Sequence, residues 1–222
     1  MLSIKTFIFN SLQVNTYIVY NENKECVVID AGNQERFEDE QILNYIDKNG
    51  LKPLMLLNTH SHIDHVMGNK LLAEKYHIGL AAHPIEKPLY NKVWMYAAAF
   101  GIDFAQDRCL TPTVDLNDGD IVKIGDDELK VLFTPGHSPG HLCFYDEKDG
   151  IVFTGDVLFY RGIGRCDLPG GNYYTIEKSI REVLYKLPDD TIVYCGHGPI
   201  TRIGDEKRNN PDMIAELPFL TE

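Results

Sequence analysis

Apolar positions fall into two similar series, one in each half of the chain. In the first, blocks rich in β-branched and aromatic residues at 4–9, 16–20 and 26–29 predict strands. Phe37, Ile42, Leu43, Tyr45 and Ile46 then recur at helical spacing over 37–48, and a further strand is predicted at 54–57. In the second, strands are predicted at 121–124, 129–133, 142–145 and 151–154, then a helix over about 175–187 and a strand at 191–194. Strands in hairpin-like succession, then a helix and one more strand, therefore occur twice. This duplication predicts an α/β fold: a four-layer αβ/βα sandwich of two mixed β-sheets packed face to face with helices outside. No low-complexity run or Pro/Gly/Ser linker interrupts it, so residues 1–222 are expected to form one domain.

The 44% hydrophobic content of the 222 residues is enough for a sizeable core. Residues 1–13 are interrupted by polar positions too soon to read as a signal peptide. No apolar run is long enough for a bilayer, which predicts a cytoplasmic protein with no membrane partner. Cys26, Cys109, Cys143, Cys166 and Cys195 are odd in number and form no C-x-x-C pair, as expected of reduced thiols. A formal net charge of −12 without a long basic run disfavours nucleic acid and leaves a small molecule as the expected substrate.

The densest chemistry lies in residues 58–69, NTHSHIDHVMGN, directly after the strand predicted at 54–57. Near-extended chain directs alternate side chains to one side, so His60 and His62 share a face. Asp64 and His65 follow, before a helix expected to start near Gly68. Imidazole and carboxylate are ligands that zinc and its neighbours accept, and a catalytic site must leave a position for water. Three later segments repeat a grammar of strand, glycine and one ligand-type residue: His137 in FTPGHSPGH, Asp156 in VFTGD and His197 in VYCGHG.

THSHIDH, TPGHSPGH, FTGD and GHG, in that order along almost the whole chain, resemble the metallo-β-lactamase fold superfamily. Within it, VNTYIVY with VVIDAG, DVLFYRGIGRCDLPGG and GHGPITRIGDEKRNNP are similar to the small bacterial hydrolases related to hydroxyacylglutathione hydrolase, or glyoxalase II. The resemblance implies two divalent metal ions, one on His60, His62 and His137 and the other on Asp64, His65 and His197, with Asp156 bridging. Zinc is the default, and iron and manganese accept the same ligands. It also implies that a hydroxide shared by the ions attacks a thioester or related ester, with Asp64 as the catalytic carboxylate that orients the water or takes its proton.

Other residues are read more plainly. Asp30 either fixes the tautomer of a ligating imidazole or ends a strand in a turn. His141 is expected to support the site without ligating, and His77 and His83 to lie at the surface or cap elements. Tyr173 and Tyr174 either line the pocket or pack the start of the last large helix. By resemblance Arg165 falls at a basic substrate-binding position, but Asp167 replaces the tyrosine expected beside it. The family's glutathione-holding helical extension is not matched, so a weak grip on glutathione is expected. Residues 84–104, with Leu89, Tyr90, Val93, Trp94, Met95, Tyr96 and Phe100, are more apolar than one helix face needs. They are expected to pack on the core and on a second copy of the chain in a homo-oligomer, the alternative being a wall over the metals.

The rival reading is a mononuclear-iron persulfide dioxygenase of the same fold, which needs only two histidines and an aspartate and would leave the second ligand set without a role. A lactonase and an RNA-processing nuclease are weaker alternatives, the nuclease for want of a basic exosite. A β-lactamase of the commonest zinc subclass would be exported and carry cysteine where Asp156 stands.

Overall fold

Two six-stranded sheets form the centre of the computed structural model, which describes residues 1–99 and 101–214. The first follows chain order: β1 (Ser3–Phe9), β2 (Val14–Tyr20), β3 (Glu25–Ile29), β4 (Lys52–Leu57), β5 (Gly79–Ala82) and β6 (Val114–Asp115). Its first three strands are antiparallel neighbours and its last four parallel ones. Then come β7 (Ile121–Ile124), β8 (Asp127–Phe133), β9 (Leu142–Asp146), β10 (Ile151–Gly155), a small hairpin of β11 (Leu158–Phe159) and β12 (Gly162–Ile163), β13 (Ile192–Cys195) and β14 (Thr201–Arg202). All but the hairpin form the second sheet, ordered β14-β13-β10-β9-β8-β7, with β10 and β13 parallel.

The two-residue side-chain period of each central strand sorts residues into different layers. In β2, Ile18 packs outward while Tyr17 and Val19 face the second sheet; in β3, Cys26 and Val28 face outward and Val27 and Ile29 inward. In β9, Leu142 and Phe144 face inward and Cys143 and Tyr145 outward. Because both faces are covered, these strands are buried along nearly their whole length. The outer core of the first sheet is closed by α1 (Arg36–Lys48), α2 (Ile63–Val66), α3 (Asn69–Tyr76), α4 (Lys87–Tyr90) and α5 (Val93–Ala99). That of the second is closed by α6 (Tyr173–Glu182), α7 (Ile203–Asn209) and α8 (Pro211–Ile214). The result is the expected four-layer sandwich.

Several boundaries differ from the sequence reading. Asp64 and His65 lie inside α2, a single turn too short to show periodicity, and the next helix begins at Asn69. The helix expected over 175–187 begins at Tyr173, because the Asn172 side chain accepts a hydrogen bond from the Thr175 N–H at 2.9 Å and so caps it. It breaks at Val183 into a 3₁₀ turn, Leu184–Lys186, ahead of Pro188. In the segment 84–104, Tyr90, Val93, Ala97 and Phe104 join the outer core, while Leu89, Val93 and Tyr96 line a cavity. Phe100 lies outside the described residues.

Phe144, fully buried between the sheets, tests this packing. Phe144→Ala should cost about 3–5 kcal/mol in denaturant unfolding. A loss below about 1 kcal/mol would mean that the inter-sheet layer does not close around this ring.

Candidate metal centre

The loops after β4, β8, β10 and β13 all open at one end of the sandwich. Hydrogen bonds between the sheets fasten this rim: Leu142 N–H donates to the Thr59 carbonyl at 2.9 Å, and Asn15 N–H to the Gly196 carbonyl at 2.7 Å. All seven candidate ligands meet there. His60 Nε2, His62 Nδ1 and His137 Nε2 form a triangle with sides of 3.0, 2.8 and 3.2 Å. Beside it, Asp64 Oδ2 lies 3.5 Å from His65 Nε2 and 3.1 Å from His197 Nε2. The Asp156 carboxylate stands between the groups, with Oδ1 3.4 Å from His65 Nε2 and Oδ2 3.6 Å from both His137 and His197.

The atoms behind four of the five candidate imidazoles show which nitrogen of each is free. Asp30 Oδ2 accepts from His65 Nδ1–H at 2.9 Å and from the Thr59 hydroxyl at 2.7 Å; Thr59 Oγ1 in turn accepts from His60 Nδ1–H at 3.0 Å. Asp30 Oδ1 takes the Thr59 N–H at 2.8 Å and the Asn58 amide at 3.2 Å. Both readings of Asp30 therefore hold, since it also ends its strand in a left-handed turn with φ 53°. His137 Nδ1–H donates to the Arg165 carbonyl at 2.7 Å, and His197 Nδ1–H to that of Gln13 at 3.2 Å. When these four rings are neutral, their inward nitrogens consequently carry the lone pairs.

Lone pairs facing one another at about 3 Å need a cation between them. His65 Nε2 and Asp156 Oδ1, both buried, have no hydrogen-bond partner and face each other. Three sets of three ligand atoms, His60/His62/His137, His60/His65/Asp156 and Asp64/His65/His197, each lie within 4.8 Å of one another. The donor set and its orphaned atoms fit metal ions of the zinc, iron or manganese type.

Residues 10–197 match the profile described as the Metallo-beta-lactamase superfamily. The chain belongs to this superfamily. It is 34% identical to "Hydroxyacylglutathione hydrolase GloC" of Haemophilus influenzae over 95% of this chain and 97% of that one. Among solved structures, "BLEG-1 B3 metallo-beta-lactamase" superposes with a TM-score of 0.86 and 32% identity, covering 96% of this chain and all of the other (100%). "TTHA1623 in a di-iron-bound form" gives 0.84 and 37%, covering 93% and 98%.

In this member of the metallo-β-lactamase superfamily the electrostatics divide the ligands. Burial, reinforced by His65 and His62, holds His60 well below the ordinary histidine range. Burial beside His137 takes His62 down to about 3. Burial opposes charge on His65 too, but Asp64, Asp156 and Asp30 outweigh it and raise its pKa well above that range. Burial likewise disfavours the Asp156 and Asp64 anions, but His65 and His197 together, joined by His137 at Asp156, outweigh it and lower both pKa values.

The supporting residues are partly as expected. His141 does not ligate: its Nε2 accepts the Asp156 N–H at 3.2 Å, its ring stacks on His60, and it is fully buried. His77 is the left-handed C-cap of α3. His83 caps a 3₁₀ turn by accepting the Ile85 N–H, but it is buried against Phe133, not at the surface. Tyr173 and Tyr174 begin α6 and are not among the residues lining the cavity. Arg165 does line the cavity, and its guanidinium is held by both carboxylate oxygens of Asp167 at 2.7 Å each. Asn58 and Thr59 stand inside the quoted motif with no role evident there, and Glu86 lies outside every motif, where a lone polar residue carries no periodic signal.

The shifts predict how metal uptake depends on pH. Asp64, Asp156 and Asp30 favour the protonated His65 ring in the metal-free protein, and the stability this contributes is complete below the ordinary 6.5 and lost as pH rises through the raised value. A metal requires the neutral ring, so affinity should increase from pH 6 to pH 8 by roughly tenfold per pH unit for each proton displaced, read by competition titration with Zn²⁺. A flat profile would show that His65 is not charged in the metal-free protein.

Proposed function

We propose that the protein is a dinuclear metal-dependent hydrolase that cleaves thioesters or related esters of small molecules. The observation that carries this reading is the Asp156 carboxylate, placed between a three-imidazole group and an Asp64/His65/His197 group. His60, His62 and His137 would hold one ion and Asp64, His65 and His197 the other, with Asp156 touching both. Two such ions supply Lewis acidity and lower the pKa of a shared water from about 15.7 toward about 7. Zinc is the ion we propose; the di-iron TTHA1623 keeps iron in view, and manganese accepts the same ligands.

The chain's own groups do the remaining work. Asp64, ionised and on the cavity lining, accepts a hydrogen bond from the attacking water and orients it toward the carbonyl. Thr59 and the Arg165 and Gln13 carbonyls hold the rings in one tautomer, so no reorganisation accompanies reaction. A cavity of about 340 Å³ opens above the ligands, with Leu12, Ile63, Leu89, Val93, Tyr96 and Leu168 as its apolar wall. That wall takes the body of the acyl or thiol group and keeps bulk water out. A thiolate is a good leaving group, so no lining residue has to protonate it. GloC's name supports the thioester reading, and BLEG-1's brings a β-lactam ring in as the competing substrate.

Elemental analysis should find close to two transition-metal ions per chain, motivated by the seven ligands. Asp156→Ala should reduce thioester hydrolysis by more than the roughly 10–100-fold typical of losing an outer-shell partner, while circular dichroism stays unchanged. One reproducible iron with oxygen consumption on glutathione persulfide would replace this reading with the dioxygenase. Faster turnover of nitrocefin than of any thioester would replace it with β-lactam hydrolysis.

The substrate preference follows from the cavity. Arg165 is the one cation among the described lining residues, and Asp167 neutralises it, so neutral thioesters with apolar bodies should have higher kcat/KM than anionic ones of equal size. Asp167→Asn should raise kcat/KM for the anionic substrate a few-fold, the scale of an exposed charge pair, and leave the neutral one unchanged. An unchanged ratio would mean that Arg165 contributes only through its carbonyl.

A further inference from the structure

Glu86 ends a 3₁₀ turn, Pro84–Glu86, that lies outside every motif of the site, yet its side chain is fully buried between the two loops that carry His60, His62 and His137. Oε2 accepts from the N–H of Ser61 at 3.0 Å and from the Ser61 hydroxyl. Oε1 accepts from the N–H of Gly140 at 2.7 Å and from the Ser138 hydroxyl. Ser61 separates His60 from His62, and Ser138 follows His137 directly. One carboxylate thus grips the loop after β4 with one oxygen and the loop after β8 with the other. The four donors are neutral, so the anion is held by hydrogen bonds alone, and each oxygen already faces two of them. The local sequence accommodates the carboxylate: a Cβ on Gly140 would stand 2.7 Å from Glu86 Cγ, so glycine is required in SPGH.

We propose that Glu86 is a positioning residue that sets the spacing of the His60/His62/His137 triangle and thereby the metal affinity of that group, but not of the Asp64/His65/His197 group. The second group has its own supports. His65 is oriented by Asp30, His197 by the Gln13 carbonyl, and the Asp64 carbonyl accepts the Asn10 amide at 3.0 Å. None of Glu86's four hydrogen bonds reaches these residues. Loss of the carboxylate would let the two loops separate by the small amount that turns three converged ligands into two plus one. Outer supports of this kind are typically worth 10–100-fold in metal affinity. A glutamine cannot substitute, because whichever end carries the amide nitrogen meets a backbone N–H that cannot reverse its role.

The test is calorimetric titration of the metal-free full chain with Co²⁺, with the cobalt absorption bands as a second readout independent of activity. His197→Ala leaves the triangle as the intact group, and His62→Ala leaves the other. Adding Glu86→Gln should weaken the remaining Co²⁺ site at least about tenfold in the His197→Ala background and by less than about twofold in the His62→Ala background. Ser138→Ala, which deletes one of the four hydrogen bonds, should give the same selectivity at smaller size and serves if the Glu86 variant does not fold. Equal losses in both backgrounds would show a general structural role, and no loss in either would show that the loops are spaced by other contacts. Either result overturns the proposal.

Discussion

The buried carboxylate of Asp30 holds the centre together. It stands at the end of β3, about 2% exposed, and accepts four hydrogen bonds from Asn58, Thr59 and His65. An anion in such a place is tolerable only when every acceptor site is filled, and here each filling bond also does a structural task. The bond from His65 aims that ring, the Thr59 hydroxyl relays the same constraint to His60, and the Asn58 and Thr59 bonds fix the turn that carries both histidines out of β4. The left-handed backbone of Asp30 is a cost the protein bears to bring one carboxylate against Asn58, Thr59 and His65 beyond another strand end.

The sandwich matters to the site because the candidate ligands belong to two sheets. His60, His62, Asp64 and His65 follow β4 in the first sheet, while His137, Asp156 and His197 follow β8, β10 and β13 in the second. Inter-sheet packing around Tyr17, Val19, Phe144 and Phe153 therefore sets the separation of the two halves of the site, and the rim hydrogen bonds at Thr59 and Asn15 set its tilt. Close-packed interiors deform little, so a site shared between rigid layers keeps its geometry without ligand-induced closure.

The segment over the mouth shows how one stretch can serve three purposes. Tyr90 and Val93 fill the outer core, Leu89 and Tyr96 face the cavity, and Glu86 joins the ligand loops from behind. Its excess of apolar residues is explained by a helix pair with two buried faces, one against protein and one against the substrate space. Among the described lining residues the wall is largely apolar and Arg165 is paired with Asp167, which is the basis of the proposed preference for neutral substrates.

Residues close in the chain carried most of what could be read beforehand. The blocks of β-branched and aromatic residues in β2, β3, β9 and β10 marked strands, and the twofold repetition of strands, helix and strand pointed to two sheets. The candidate ligands stood out because they fall in short, dense motifs that follow predicted strands, and because metal chemistry restricts the choice of side chains. What was not legible depends on contacts between distant segments. Glu86 bonds to residues 25, 52 and 54 positions away, the Arg165 carbonyl orients a ring 28 positions away, and Gln13 orients one 184 positions away. Backbone carbonyls leave no trace in residue identity, and a solitary glutamate has the same local pattern whether it is solvated or buried. Short-range periodicity can specify which face of an element is apolar, but the partner of a buried polar atom is chosen only when the layers close.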